Sequence, residues 1–188
     1  MIENNYKFLN RTEVCSNSRF NVYFDHLITP NNTELKDFLI VKPKIITKEK
    51  LVGICVLPLL KNKYCLMQGW RHQLNEIVYQ APSGFIENEE QPEETAIREL
   101  KEETALICSS KDLISLGSYL PDAGLIEGKV ALFLASNCKK SEENLDAEIG
   151  TGNLVYFKEN ELISLLKNES NIGGSTVVAS FRAINKIY

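Results

Sequence analysis

The segment from Gly84 to Leu106, GFIENEEQPEETAIRELKEETAL, constrains the fold more than any other part of the chain. Pro92 suits the first turn of an α-helix, and two glutamates follow it, where the helix dipole favours negative charge. At about 100° per residue, the positions from Pro92 to Thr104 separate into an apolar face and an acidic face. The pattern therefore predicts one amphipathic helix that is buried on one side and rich in carboxylates on another.

The acidic face of this helix carries Glu99, Glu102 and Glu103, at i, i+3 and i+4 spacing. Like charges at that spacing repel by roughly a few tenths of a kcal/mol per pair, and Arg98 is the one arginine in the segment. A hard divalent cation such as Mg²⁺ takes oxygen ligands and shares carboxylates with substrate phosphates. From the residues alone two interpretations stay open: a solvated helix face, which is the commoner case for glutamate clusters, or a metal site.

Hydrophobic runs on both sides of the helix predict strands. The segments RFNVYFDHLI and LKDFLIV flank one turn signal, and LVGICVLPLL and KYCLMQGW flank another, so two hairpins are expected. NEIVYQ is a further strand that ends in a Pro-Ser-Gly turn, and LISLGSYLP, KVALFLAS and LVYF are strands beyond the helix. The order predicts one mixed α/β domain over residues 1–188, with an antiparallel β extension over residues 1–49.

Two more helices are predicted near the C-terminus. ENELISLLKN has an amphipathic pattern. The last helix is expected to dock through apolar residues at helical spacing, which are Val177, Phe181, Ile184 and Tyr188.

Composition and charge exclude several classes of protein. The net charge of -4 and the pI near 5.4 give no electrostatic footprint for nucleic acid or an anionic membrane surface. The five cysteines are an odd number without C-x-x-C spacing, which argues against zinc and a disulfide framework and favours reduced thiols in the cytoplasm. The N-terminal residues do not have the pattern of a signal peptide, and no apolar run is long enough for a membrane span.

The acidic segment resembles the Nudix box, G-x5-E-x7-R-E-U-x-E-E-x-G-U with U aliphatic. The matching positions are Gly84, Glu90, Arg98, Glu99, Leu100, Glu102, Glu103 and Leu106. A gapped match of this length is specific, and it overrides the interpretation as a solvated face. The resemblance implies a Nudix hydrolase built as an α/β/α sandwich with a mixed sheet. It also implies hydrolysis of a nucleoside diphosphate linked to another moiety.

The resemblance assigns roles to the residues of the box. Glu99 and Glu103 match the main metal ligands, and Glu102 matches a further ligand or an outer carboxylate. Arg98 matches the arginine that orients the glutamates, and the backbone carbonyl of Ser83 matches a further ligand. The implied cofactor is Mg²⁺, with Mn²⁺ as a possible substitute, and Arg98 and Glu102 are the catalytic candidates on the helix.

Two small residues frame the box. Gly84 is expected to allow the tight loop into the helix and to lie beside the substrate. Ala105 stands where the pattern has glycine, at a helix end where a left-handed residue is common. We expect the alanine to cost about 1 kcal/mol there without abolishing the site.

From roughly Phe38 onward the chain resembles the ADP-ribose pyrophosphatase branch of the family. LMQGWRH matches the segment whose arginine contacts phosphate, here Arg71. QAPSG matches the entrance to the box, with Gln80 in place of a glutamate. PDAGLIEG matches a substrate loop through Pro121 and Glu127, although Asp122 and Ala123 depart from its pattern.

The branch usually supplies its catalytic base from a late loop, which corresponds here to SEENLDAEIGTG. Glu148 matches best because Ile149 follows it, and Glu142, Glu143 and Asp146 are the other acids of that loop. Glu127 is the alternative base.

The resemblance leaves more than one function open. The expected substrate is ADP-ribose or an ADP-sugar, and the alternatives are another nucleotide substrate such as GDP-mannose or a dinucleoside polyphosphate. A third hypothesis is a regulator that binds a nucleotide-sugar without cleaving it. The branch also implies a homodimer in which the N-terminal extension crosses the interface.

Overall fold

A computed structural model describes residues 5–141 and 152–186. The strands described are β1 (Lys7–Ser16), β2 (Phe20–Ile28), β3 (Glu34–Pro43), β4 (Leu51–Leu60), β5 (Lys63–Arg71), β6 (Glu76–Gln80), β7 (Ser83–Phe85), β8 (Leu106–Ile107), β9 (Leu113–Tyr119), β10 (Lys129–Ala135), β11 (Lys139–Lys140) and β12 (Asn153–Phe157). The α-helices are α1 (Pro92–Thr104), α2 (Glu159–Asn168) and α3 (Gly174–Ile184), and a short 3-10 turn covers Ser110–Asp112.

The strands form a central mixed sheet, a separate N-terminal sheet and a small two-stranded sheet of β8 and β11. In the central sheet the order is β12-β5-β4-β10-β9, with β6 added to β5 and β7 added to β4. β10 runs parallel to β4, while β9 and β12 pair antiparallel with their neighbours. β1, β2 and β3 form an antiparallel sheet of their own, which is the predicted N-terminal extension.

Alternating residues of β4 show how the helices cover both faces of the central sheet. Ile54 and Val56 pack in one core cluster with Ala96 and Leu100 of α1. Cys55 and Leu57 pack in a second cluster with residues of α2 and α3. A strand buried on both faces reads as a continuous hydrophobic run, as this one does. The predicted α/β/α sandwich with a mixed sheet is therefore confirmed.

Four strand assignments differ from the sequence prediction, namely β1, β7 and the two-residue strands β8 and β11, which pair with each other. β1 was not predicted, because every one of its residues is exposed and no buried face marks it as a strand. Ser83–Phe85, predicted as a turn, forms the short strand β7 and pairs antiparallel with Gly53, Ile54 and Cys55. The pairing leaves Gly84 in extended backbone at the edge of the helix layer.

The C-terminal helix docks as predicted but through a different face. Val177 and Phe181 are 39% and 57% exposed, whereas the fully buried residues of α3 include Thr176 and Ser180. Small residues allow α3 to lie close to the sheet, and the Thr176 hydroxyl accepts a hydrogen bond from the Ala81 N–H at 2.8 Å. Ile184 is partly buried and packs against the second core cluster as expected, so the apolar periodicity found the helix but was wrong about Val177 and Phe181. Tyr188 lies outside the described residues.

The structure gives the state of the cysteine thiols and the character of the described helices. All five thiols are free, and burial raises the pKa of Cys55, Cys65 and Cys138 to about 12. None of the described helices has the length and the apolar character to cross a membrane.

The end of α1 generates a stability prediction. Ala105 has φ 55° and ψ 22°, which is the expected left-handed conformation, and its N–H donates to the Lys101 carbonyl at 2.9 Å. Glycine adopts this conformation without a Cβ clash, so Ala105→Gly should raise the free energy of unfolding by about 1 kcal/mol. Urea unfolding followed by circular dichroism measures the change. The matched control is Ala123→Gly, at a position where φ is not positive; if both variants change stability equally, the left-handed cap is not the cause.

Candidate active site

The position of the acidic helix is set by a close approach between α1 and β7. A Cβ atom placed on Gly84 would lie 1.8 Å from Oε1 of Glu99. A Cβ on Gly53, in the neighbouring strand β4, would lie 2.7 Å from the Gly84 carbonyl oxygen. Gly84 is therefore needed for space and not for an unusual φ, and the predicted tight loop is in fact an extended strand. The contact presses Glu99 against the backbone of β7 and leaves the side chain only 11% exposed.

Arg98 is the centre of an ionic network on α1. Its Nε and Nη2 atoms donate to the two oxygens of Glu90 at 2.9 and 3.1 Å. Its Nη1 atom donates to Glu99 at 2.7 Å and to Glu102 at 3.0 Å. The hydrogen bond from Arg98, assisted by one from the Thr95 hydroxyl, lowers the pKa of Glu90 to about 2. The same carboxylates raise the pKa of Arg98, so this network stays charged. The predicted orienting role of Arg98 is consistent with these contacts.

Glu103 connects the helix to the strand that precedes the box. Its Oε2 accepts a hydrogen bond from the Ser83 N–H at 2.8 Å. Ser83, whose carbonyl is a predicted ligand, therefore lies beside one of the predicted carboxylate ligands. Both residues line a polar cavity of about 390 Å³. The residues that line this carboxylate cavity are Arg19, Ser83, Gly84, Phe85, Glu87, Arg98, Glu99, Glu102 and Glu103.

The chemistry of this cavity suits a hard divalent cation. Carboxylate and carbonyl oxygens are the ligands that Mg²⁺ prefers, and Glu99, Glu102, Glu103 and Ser83 supply them at one wall. Among residues 5–141 and 152–186, no three acidic, histidine or cysteine side chains are arranged as a preformed metal cluster. Arg98 lies between Glu99 and Glu102 instead, so a cation would replace part of its contact with them. The two hydrogen bonds to Glu90 would keep Arg98 in place.

Two predicted substrate contacts lie away from the lining of the carboxylate cavity. Arg71, at the end of β5, donates a hydrogen bond from Nη2 to Oε1 of Gln80. Gln80 is buried, with 6% of its surface exposed. Arg71 forms no ion pair within the described residues, so no carboxylate of that part of the chain balances its charge. Pro121 is exposed in the loop between β9 and β10.

Glu127 is held by the N-terminal sheet. Its carboxylate contacts Arg11 of β1 at 3.3 Å and Lys42 of β3 at 3.1 Å. Its backbone N–H donates to the Val41 carbonyl at 3.0 Å. Arg11 also binds the buried Asp25 through two hydrogen bonds of 2.6 and 2.8 Å. The structure thus brings Glu127 to the extension and gives it no contact with the carboxylates of α1.

One predicted site residue lies outside the described part of the chain, and one residue of the cavity was not revealed by the sequence. Glu148 lies outside the described residues, with the other acids of its loop. Arg19, in the turn between β1 and β2, lines the carboxylate cavity although it is distant from the box in sequence. No local motif marks Arg19, since its position depends on how the N-terminal sheet packs on β7.

Comparison with known proteins identifies the family. The NUDIX domain profile matches residues 49–173. The chain belongs to the Nudix family. The matched region contains the whole carboxylate-bearing helix and begins where the N-terminal extension ends.

Three curated relatives resemble this Nudix chain. The NAD-capped RNA hydrolase of Saccharomyces cerevisiae is 28% identical over an alignment of 137 residues, and the match covers 67% of this chain and 35% of the relative. The methanol dehydrogenase activator of Bacillus methanolicus is 26% identical over 121 residues, 63% of this chain and 64% of the relative. The ADP-ribose pyrophosphatase of Bacillus subtilis is 24% identical over 142 residues, 76% of this chain and 72% of the relative. The chain thus spans less than two thirds of the length of the first two relatives.

A solved structure resembles the Nudix chain over nearly its whole length. The structure of an ADP compounds hydrolase superposes with a TM-score of 0.77 at 19% identity, covering 96% of this chain and 93% of the other. At that identity the likeness establishes the fold. Together with the family match and the B. subtilis relative, it confirms the predicted resemblance to the Nudix hydrolases and their ADP-ribose pyrophosphatase-like branch.

The ionic network on α1 generates a prediction about pH. The folded-state pKa of Glu90 lies below its ordinary value of 4.5, at about 2. Its contribution to stability is therefore fully present above pH 4.5 and is lost as the pH falls toward 2. Glu90→Gln should lower the free energy of unfolding at pH 7 by about 1–3 kcal/mol. The deficit relative to the parent protein should shrink as the pH falls through that window.

Urea unfolding at a series of pH values between neutral and strongly acidic measures this deficit. Glu93→Gln is the matched control, because Glu93 is exposed in the first turn of the same helix and forms no ion pair in the described residues. A deficit for Glu90→Gln that is independent of pH would show that the charge of Glu90 is not what stabilises the network.

Proposed function

We propose that this Nudix protein is a divalent-cation-dependent pyrophosphohydrolase whose substrate is ADP-ribose or an ADP-sugar. Hydrolysis adds one water across the diphosphate linkage, so ADP-ribose and water give AMP and ribose 5-phosphate. The single observation that carries the proposal is the set of Glu99, Glu102 and Glu103 at one wall of a polar cavity with the Ser83 backbone. A binding protein without catalysis has no need for so many mutually repelling carboxylates.

Glu99, Glu102, Glu103 and the carbonyl of Ser83 would hold the cation, with Mg²⁺ as the proposed ion and Mn²⁺ as a substitute. When bound, the cation would neutralise charge on the diphosphate and polarise the attacking water. Arg98 holds the carboxylates in position through its contacts with Glu99 and Glu102. It is in turn fixed by its two hydrogen bonds to Glu90.

Arg71 is proposed as a phosphate contact beyond the carboxylate cavity. A planar guanidinium can donate two parallel hydrogen bonds to a phosphate. Since its partner Gln80 is neutral, Arg71 retains a full positive charge for an anion. A glutamate at residue 80 would neutralise part of that charge. The glutamine in this chain leaves the charge available to an anion.

The names of the relatives support an ADP-containing substrate. One relative is an ADP-ribose pyrophosphatase, the solved structure is an ADP compounds hydrolase, and another relative acts on NAD-capped RNA. Each name refers to, or contains, an ADP unit joined through a diphosphate. GDP-mannose and dinucleoside polyphosphates remain the alternative substrates, and a nucleotide-sugar-binding regulator is a second class, favoured by the relative named as an activator. A screen of nucleoside diphosphate derivatives with Mg²⁺, read by product phosphate, separates them.

The proposed cation site leads to a test by substitution. Glu99→Gln and Glu103→Gln should each lower kcat by roughly two or more orders of magnitude, because each removes a charged ligand that stabilises the transition state. Both variants should stay folded, since they relieve repulsion on α1. Glu93→Gln is the control with the same chemical change elsewhere on the helix. ADP-ribose hydrolysis by chelator-treated protein at the rate of Mg²⁺-loaded protein would refute the dependence on a cation.

Glu148 is proposed as the base that accepts a proton from the attacking water, because the helix carboxylates are committed to the cation and to Arg98. Loss of a general base costs about 10²–10⁴-fold in rate. Glu148→Gln should therefore lower kcat with little change in KM, while Glu142→Gln and Glu143→Gln should have almost no effect. Steady-state kinetics across the three variants measures this. Full activity in Glu148→Gln together with loss in Glu127→Gln would transfer the role to the earlier loop.

A homodimer is the proposed assembly, in the cytoplasm. The N-terminal sheet exposes the large apolar side chains of Phe8, Val14 and Leu39, and Tyr6 lies directly before it; these four residues are 41–56% exposed. Such a surface is typical of an interaction site. Light scattering at micromolar concentration should give twice the mass of the chain, and a monomeric mass would contradict the proposal.

A further inference from the structure

The carboxylate cavity contains a second arginine, Arg19, that none of the assignments above uses. It lines the cavity together with Glu87, Glu99, Glu102 and Glu103. The cavity therefore has an acidic wall on α1 and a cation contributed by the N-terminal sheet. An arginine beside four carboxylates would be expected to pair with one of them unless something else holds it away.

The contacts of Arg19 explain why its side chain does not form an ion pair with the carboxylates of α1. Its guanidinium lies over the ring of Phe85, with Cζ 5.7 Å from the ring centroid. Phe85 is itself fixed by an edge contact with Phe20, at 5.4 Å between centroids. A cation over an aromatic face is attracted by the electron density of the ring. In the described residues Arg19 forms no ion pair, and no side-chain hydrogen bond occupies its guanidinium.

The backbone of Arg19 is fixed as firmly as its side chain. The side-chain oxygen of Asn17 accepts hydrogen bonds from the N–H groups of Arg19 and Phe20, both at 2.8 Å. The Arg19 carbonyl accepts a hydrogen bond from the Lys44 N–H at 2.9 Å. The turn between β1 and β2 is thus held to the end of β3, and it presents the guanidinium at a defined place.

Arg98, the other arginine that lines the cavity, cannot offer its donors to an incoming anion in the same way. Its donors are engaged by Glu90, Glu99 and Glu102. Arg19 is therefore the cation of the cavity whose donors are available to an incoming anion. A guanidinium offers up to five N–H donors in a planar fork that matches phosphate oxygens.

We propose that Arg19 binds the substrate diphosphate on the side opposite the carboxylates, so that the N-terminal sheet contributes a substrate contact to the cavity of its own chain. This rests on the proposed function, in that the anion is a diphosphate. Replacing Arg19 by alanine should therefore change the affinities for an anion and for a cation in opposite directions. Removing a positive charge from the cavity lowers the affinity for an anion and raises the affinity for a cation, whereas damage to the fold lowers both affinities.

The experiment measures two affinities by titration calorimetry. The first probe is α,β-methylene-ADP, a diphosphate that is not hydrolysed, at saturating Mg²⁺, and the second is Mn²⁺ alone. Arg19→Ala should lower the affinity for the diphosphate by about ten- to hundredfold, the range for a hydrogen bond to a charged group. The same substitution should raise the affinity for Mn²⁺ by about two- to fivefold, as expected for the loss of a screened positive charge nearby. Arg19→Lys should restore most of the diphosphate affinity.

Lys44→Ala is the matched control. It removes the same charge from a residue bonded to Arg19 through the backbone, and Lys44 does not line the carboxylate cavity. Its two affinities should stay near the parent values. Unchanged diphosphate affinity in Arg19→Ala overturns the inference, as does a parallel loss of diphosphate and Mn²⁺ affinity or an equal effect of Lys44→Ala.

The result also separates this inference from the proposed function. If the protein binds α,β-methylene-ADP in an Arg19-dependent manner but hydrolyses no ADP-ribose, the proposed function fails and the role of Arg19 stands. If Arg19→Ala hydrolyses ADP-ribose with the kcat/KM of the parent protein, the role of Arg19 fails and the proposed function stands.

Discussion

The space between β7 and α1 determines how the rest of the site is built. Gly53 and Gly84 stack where two strands and a helix converge, and a Cβ on either would meet its neighbour within 2.7 Å. Because neither residue has a side chain, α1 can approach until the carboxylate of Glu99 touches the backbone of β7. The same approach brings the Ser83 N–H within 2.8 Å of Glu103. A larger residue at position 84 would displace the helix and separate the predicted ligands.

The close approach of α1 to β7 leaves carboxylates that repel one another on one helix face, and Arg98 offsets this repulsion. Carboxylates gathered on one helix face repel, and partial burial strengthens the repulsion by lowering the local dielectric constant. Arg98 offsets it by binding Glu90 with two donors and by bridging Glu99 and Glu102 with a third. Glu90 therefore serves as the fixed counterion, which leaves the other carboxylates able to exchange an arginine contact for a cation. The network holds the acidic wall together, and the proposed cation would replace the contacts of Arg98 with Glu99 and Glu102.

The sequence predicted those features that local patterns determine. The helix bounds Pro92–Thr104 follow from a proline start and a left-handed end, and the double burial of β4 follows from its unbroken apolar run. β1 escaped prediction because an exposed strand has no buried alternation to detect. The buried side of α3 was misassigned because Thr176 and Ser180 face the core, where short side chains bring helix and sheet together and one hydroxyl satisfies a backbone N–H. Periodicity records apolar character, and it does not record which residues are small enough for close packing.

The position of Arg19 and the contacts of Glu127 could not be predicted locally for a related reason, since both depend on the N-terminal sheet. Glu127 was assigned to the substrate side by resemblance, yet its carboxylate is engaged by Arg11 and Lys42. The buried Asp25 fixes Arg11, so these charges join the sheet to the loop between β9 and β10. Near the same end of the sheet as Lys42, the turn that carries Arg19 lines the carboxylate cavity. The extension therefore contacts the loop between β9 and β10 through Arg11 and Lys42, and it lines the carboxylate cavity through Arg19. Hydrogen bonds to Asn17 and Lys44 fix the turn that carries Arg19, so the packing of the extension on β7 decides where this arginine lies relative to the carboxylates of α1.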